Sequence, residues 1–349
     1  MSILKIKVSL FIIIILIFIL ILSCSSTNPN QNNNKLNNID ELISESNTIP
    51  EDITNSCKIF ETKLELGDYF NIGLRSELRG EYKSALKYYE LSYEYGRLWD
   101  DYFIQIYSIA GISRIQIYLE QYGKALSSIK STEDLNNKRQ KILEIESLCY
   151  ENRALLYYYT DDYEKAEIYY LKALKIYKNC GVASSIAELY NNLGLVYIKT
   201  ENYEKAEELF LKALKLNVQL DNHTSQSINL TNLGILYKTI DRFEKAEKMY
   251  YLALEIDKRE KKFEFIGKDL FNLAELYYDY DKTQLAIDFY DRTINYVESL
   301  ESPTIDYLNI AIKSCDKMIL IAQNSNDKQM EEEYTEKKEW FIKKLKKYS

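Results

Sequence analysis

The sequence predicts an all-α protein built as a solenoid of antiparallel helix pairs. The main observation is self-similarity, because one alanine recurs every 40 or 41 residues along the 349-residue chain, and such a fixed period marks a repeat array. The recurring alanines are Ala85, Ala125, Ala166, Ala206, Ala246 and Ala286. Glycine and proline are scarce, at 10 and 3 residues, which suits helices joined by short turns. We therefore expect about six repeats of 40 residues, each with two helices.

Small and aromatic residues keep a constant distance from these alanines. Twelve positions upstream stand Gly73, Ala154, Gly194, Gly234 and Ala274, and four positions downstream stand Tyr89, Tyr170, Phe210, Tyr250 and Tyr290. This pattern resembles the tetratricopeptide repeat (TPR) family, and within it the long-repeat branch typified by the kinesin light chains. The resemblance covers roughly residues 66–306 and is weakest around Ala125. It implies a right-handed superhelix in which the first helix of each pair lines a concave groove.

The first 23 residues predict a signal peptide for export. Lys5 and Lys7 precede an apolar run over residues 8–22, which is shorter than the roughly 20 residues of a membrane-spanning helix. The run ends in the letters ILSC, which resemble the lipobox of bacterial lipoproteins. The resemblance implies acylation of Cys24 and anchoring in the bacterial cell envelope, at an outer membrane or the cell surface rather than the inner membrane. An uncleaved signal anchor is the alternative interpretation.

Composition divides the remaining chain into three segments. Residues 24–52 are rich in asparagine and serine and poor in apolar side chains, so they predict a flexible tether. Residues 53–306 carry the repeat array. Residues 307–349 predict a helical cap, because apolar side chains such as Phe341 and Leu345 fall on one face of an amphipathic helix. A membrane surface or an anionic partner for the basic end of this segment is the alternative.

Acidic residues at the predicted helix starts have a structural explanation. Asp161, Asp241 and Asp281 each stand three residues before a glutamate or a glutamine, as in a capping box. We therefore expect these aspartates to be N-caps rather than catalytic acids.

Several functional classes are excluded by composition and motifs. The chain has one histidine, His223, no glycine-rich phosphate loop and no CxxC pair, so we predict no enzyme activity, no cofactor and no metal site. Without Lys5 and Lys7 the chain has 43 basic and 53 acidic residues. This acidic balance argues against a nucleic-acid partner, because binding to nucleic acid depends on neutralising phosphates.

Asparagine recurs at the position that the TPR resemblance points into the groove. Fourteen residues before the recurring alanine stand Asn71, Gly111, Asn152, Asn192, Asn232 and Asn272. Asparagine is a mediocre helix former, and its amide can hold one peptide unit of an extended ligand. We predict a peptide-binding set made of the five asparagines together with Asn191 and Lys268. Shared ancestry of the repeats, an asparagine-rich composition, or amides that bridge adjacent helices are the alternatives.

Two functions of different classes follow from these features. The first is a membrane-anchored scaffold that holds a peptide segment of a partner protein in the groove, with the membrane contacted through the N-terminal lipid. The second is a glycan- or solute-binding accessory lipoprotein of an uptake system, in which Tyr118 and Tyr159 supply stacking surfaces. A spacer that binds nothing in its groove is a third interpretation.

Overall fold

The computed structural model describes residues 69–138 and 141–347, and the predicted signal peptide, the predicted tether and residues 53–68 lie outside them. In these two ranges the protein has fourteen α-helices and no strand, which confirms the predicted fold class. The helices are α1 (residues 69–78), α2 (Tyr82–Leu98), α3 (Tyr102–Tyr118), α4 (Tyr122–Lys138), α5 (Leu143–Tyr159), α6 (Tyr163–Cys180), α7 (Ala183–Lys199), α8 (Tyr203–Gln219), α9 (His223–Thr239), α10 (Phe243–Arg259), α11 (Phe263–Asp279), α12 (Thr283–Glu298), α13 (Ile305–Ser325) and α14 (Lys328–Leu345).

Consecutive helices pack against each other and form seven pairs, from α1–α2 to α13–α14. First helices of neighbouring pairs also touch, as α3 does with α5 and α11 with α13. The first six pairs are the predicted repeats. The C-terminal cap consists of two helices where we predict one. The repeat period does not reveal this seventh pair, because Glu331 occupies the helix position that alanine holds in the other six.

The turns between helices explain why the predicted helix caps are wrong by one residue. Asp161, Asp241 and Asp281 adopt left-handed φ angles of 59°, 53° and 55° in the middle of three-residue turns. A short polar side chain tolerates this conformation, which the turn requires. The N-cap is the next residue in each case. Among these next residues only Asp162 caps with its side chain, which accepts a hydrogen bond from the Lys165 N–H.

The small and aromatic positions meet inside each repeat, as predicted. A Cβ atom added to Gly194 would lie 2.5 Å from the Phe210 ring, and one added to Gly234 would lie 2.4 Å from the Tyr250 ring. Glycine is therefore required where two helices approach this closely. Neighbouring repeats are joined by tyrosine hydroxyls, which donate to glutamates thirty residues earlier: Tyr197 to Glu167, Tyr237 to Glu207 and Tyr277 to Glu247.

The turn between α1 and α2 lies close to the start of α13. A Cβ atom added to Gly80, in the turn between α1 and α2, would lie 2.8 Å from a carboxylate oxygen of Asp306 on α13. A cavity of about 520 Å³ lies between this turn and the start of α13. Among the helices described, none combines the length and the apolar character needed to cross a bilayer. Cys149, Cys180 and Cys315 are free thiols, and Cys57 lies outside the described ranges.

Candidate peptide groove

A concave surface on the groove side lies where the first helices of the first four repeats meet. A cavity of about 610 Å³ opens there, which is within the usual range for ligand sites. Most of its lining comes from α1, α3, α5 and α7, and it consists of Leu74, Glu77, Leu78, Tyr82, Arg114, Tyr118, Leu148, Glu151, Asn152, Leu155, Tyr170, Tyr177, Ser185, Glu188 and Asn192. The first helices therefore line a groove here, as the TPR resemblance implies.

One charge pair in this cavity is fully engaged within the protein. The Arg114 guanidinium binds Glu77 through two N–O contacts of 2.9 Å, from Nε to Oε1 and from Nη2 to Oε2. The Tyr89 hydroxyl donates to Glu77 Oε2 at 2.6 Å. Such a bidentate pair is among the stronger polar contacts in proteins. It links α3 to α1 and neutralises Arg114, the one basic side chain among the described residues of the lining.

Two further acids in the cavity have no basic partner. Neither Glu151 on α5 nor Glu188 on α7 forms an ion pair within the described part of the chain. The Tyr177 hydroxyl donates to Glu151 Oε1 at 2.7 Å. Burial in the groove, followed by the nearby charge of Glu188, raises the pKa of Glu151 to about 7. The cavity is therefore acidic.

The predicted asparagine set divides into amides bound to other helices and amides that remain open. The Asn152 side chain is 3 % exposed, and its Nδ2 donates to the Ala110 carbonyl at 3.0 Å and to Ser113 Oγ at 2.8 Å on α3. Asn232 Nδ2 donates to Asn191 Oδ1 at 2.7 Å, which links α9 to α7. These three residues bridge neighbouring first helices, which is one of the alternative interpretations of the predicted asparagine set.

The other predicted residues make fewer contacts. Asn192 lines the cavity and makes no side-chain hydrogen bond among the residues described. Asn272 Nδ2 is buried and has no partner there. Asn71 and Lys268 are exposed, on α1 and α11. Asn192 is thus the predicted residue best placed to meet a ligand, and the ligand-binding role of the whole set stays a prediction.

The two tyrosines proposed for glycan stacking contact each other. The ring centroids of Tyr118 and Tyr159 lie 5.7 Å apart with an interplanar angle of 77°, and the Tyr82 ring stacks on Tyr118 at 5.1 Å. This edge-to-face arrangement occupies ring surface that a sugar would need. The acids Glu151 and Glu188 are absent from the predicted set. Their one sequence signal is that Glu151 directly precedes Asn152, a member of the predicted set.

Comparison with known proteins identifies tetratricopeptide repeats in this chain. The family profile for this repeat matches residues 185–259, and a second profile of the same family matches residues 147–180. A search of curated proteins finds no match.

Solved structures share the fold at low sequence identity. BtubC (BKLC) from P. vanneervenii is 22 % identical, with a TM-score of 0.52 over 62 % of this chain and 90 % of that one. A Rap protein complexed with Competence and Sporulation Factor is 16 % identical, with a TM-score of 0.59 over 85 % and 81 %. NprR in complex with its cognate peptide NprX is 17 % identical, with a TM-score of 0.50 over 81 % and 82 %.

Proposed function

We propose that this protein is a peptide-binding scaffold that holds a segment of a partner protein in the groove lined by α1, α3, α5 and α7. The observation that carries the proposal is the cavity of about 610 Å³ on the concave side, where apolar, aromatic and polar side chains converge. Solved structures with a similar fold include complexes with peptides, such as NprR with NprX. An extended or helical segment suits such a groove, because its backbone and side chains present alternating polar and apolar contacts.

We further propose that the scaffold is anchored to a membrane of the bacterial cell envelope through a lipid on Cys24. The support is the ILSC motif after a short apolar run. Incorporation of an alkyne-labelled fatty acid tests this step. The wild-type chain should take up the label and move to the membrane fraction. The Cys24→Ser variant should take up none. Equal labelling of both chains contradicts the anchor.

Photocrosslinking in intact cells tests the groove. A photoreactive residue at Asn192, which lines the cavity, should give an adduct with one dominant partner protein. The matched probe position is Glu204, an exposed residue in the first turn of α8 in the same repeat. An adduct at Asn192 that is absent at Glu204 supports the scaffold. Adducts of equal yield at both positions, or none at Asn192 in folded protein, contradict it.

A further inference from the structure

The charge of the cavity selects among the segments that the groove can hold. Its lining has three acids and one base, and the base, Arg114, is occupied by Glu77. Among the described residues, Glu151 and Glu188 therefore remain as two acids without a counter-ion, on the neighbouring first helices α5 and α7. Each raises the electrostatic cost of ionising the other, and a cation placed between them would relieve that repulsion.

The walls around these acids suit a long basic side chain. Tyr170 and Tyr177 on α6 and Tyr118 on α3 line the same space, together with Leu148 and Leu155 on α5. Aromatic rings attract a cation that approaches their faces. The hydrocarbon part of a lysine or an arginine packs well on apolar surface while its charged end reaches polar groups. Asn192 adds an open amide at the edge of the cavity.

We propose that this cavity receives a lysine or arginine side chain of the bound segment, with its positive charge between Glu151 and Glu188. The inference rests on the proposed function, since it names the chemistry of the segment that the groove holds. A segment with a glutamate or an aspartate at this point is excluded by the same charges.

The binding of such a segment should depend on pH. The ionisable groups that face the cavity are Glu77 from α1, Tyr82 from α2, Arg114 and Tyr118 from α3, Glu151 from α5, Tyr170 and Tyr177 from α6, and Glu188 from α7. Of these, Glu151 changes charge between pH 5 and 8, because the groove raises its pKa to about 7. The cation is held by the ionised form of Glu151, so binding should weaken as pH falls from 8 to 5.

A random decapeptide library tests the inference with the full chain in detergent. The library is passed over immobilised protein, and the bound peptides are sequenced by mass spectrometry. Wild-type protein should enrich peptides with lysine or arginine at least threefold at pH 8, and less at pH 5. The variant Glu151→Gln with Glu188→Gln should lose this enrichment. The matched variant is Glu164→Gln with Glu204→Gln, which removes the same number of charges from exposed helix starts. This variant should still enrich basic peptides.

Each result decides between the two proposals. Peptides enriched without an excess of basic residues, or with the same excess in the Glu151→Gln, Glu188→Gln variant, overturn the charge inference and leave the peptide groove standing. Loss of the enrichment in the matched variant overturns it as well, because the cation then binds the outer surface. No enrichment of any peptide, together with no crosslink at Asn192, overturns the groove itself. Glutamine keeps an acceptor for the Tyr177 hydroxyl, and circular dichroism verifies that each variant is folded.

Discussion

Two pairs of neighbouring acidic side chains in this array differ in their access to water. Glu151 and Glu188 face the open groove between the third and fourth repeats, and Glu188 is exposed. Asp257 and Asp269 lie at the junction of α10 with α11, between the fifth and sixth repeats, and are 0 % and 2 % exposed. In both pairs burial comes first, and a neighbouring acid second, among the causes that raise a carboxyl pKa.

Asp257 and Asp269, called the sealed pair below, accept hydrogen bonds from hydroxyl groups of α9. Ser227 donates to Asp257 Oδ2 at 2.5 Å, and Thr231 donates to Asp269 Oδ1 at 3.3 Å. Burial, followed by the charge of Asp257, raises the pKa of Asp269, and the hydrogen bond from Thr231 opposes this rise. Two neighbouring buried carboxylates repel each other, so one of the two groups keeps its proton. Position decides the role of each pair, because Glu151 and Glu188, the open pair, can meet a ligand in the groove, whereas Asp257 and Asp269 belong to the core.

The largest expected effect concerns the sealed pair. The folded protein keeps a proton on Asp257 or Asp269 that the unfolded chain releases above about pH 4. The free energy of unfolding should therefore fall as pH rises from about 4 through the raised pKa, by up to about 1.4 kcal/mol per pH unit. Asp269→Asn keeps a donor toward Asp257 without a charge, so it should flatten this slope and stabilise the protein by about 1–3 kcal/mol at pH 8. Urea denaturation between pH 5 and 9 measures both.

The matched variant for this experiment is Asp288→Asn. This aspartate is exposed and forms an i,i+4 pair with Arg292 at 3.3 Å, so its loss should change stability by less than about 0.5 kcal/mol. An unchanged pH slope in Asp269→Asn would show that the pair is hydrated. The contrast between the two acid pairs would then be lost.

Asn152 and Asn192 test the same contrast between a core residue and a groove residue with uncharged side chains. Asn152→Ala removes a buried amide and leaves the Ala110 carbonyl without that donor, so it should destabilise the protein by about 1–3 kcal/mol. Asn192→Ala removes an amide that makes no hydrogen bond within the described chain, so it should change stability by less than about 0.5 kcal/mol. Thermal melting of both variants measures the difference. Equal losses would mean that Asn192 is as structural as Asn152.

Much of the fold is predictable because the contacts that build it recur at one period. Gly194 against Phe210 and Gly234 against Tyr250 are the same contact, forty residues apart. The repeat period does not predict the seventh helix pair, because its second helix has Glu331 in place of the recurring alanine. The cap positions are missed because the period shows where a turn lies but does not show which of its residues takes a positive φ.

The site is less predictable because the partners of Asn152 and Asn232 lie in the preceding repeat. Asn232 meets Asn191, whereas Asn152 meets the backbone of Ala110, and only the packing of first helices reveals this difference. The ion pair of Arg114 with Glu77 spans thirty-seven residues, which is not the repeat period. The acidity of the groove depends on that pair, since it removes the one base from the lining.

The smallest expected effect is on the stability of the open pair. The pKa of Glu151 is raised to about 7, so this carboxyl also lowers stability as pH rises from about 4.5 to 7. Solvent in the groove screens the interaction, and Glu151→Gln should therefore stabilise the empty protein at pH 8 by less than about 1 kcal/mol. Urea denaturation at pH 8, beside Asp269→Asn and with Glu164→Gln as the exposed control, measures the difference. A gain equal to that of Asp269→Asn would mean that the groove acids are as poorly hydrated as the core pair. A small gain in the free energy of unfolding, together with loss of the enrichment of basic peptides, would show that Glu151 binds the ligand and contributes little to the stability of the fold.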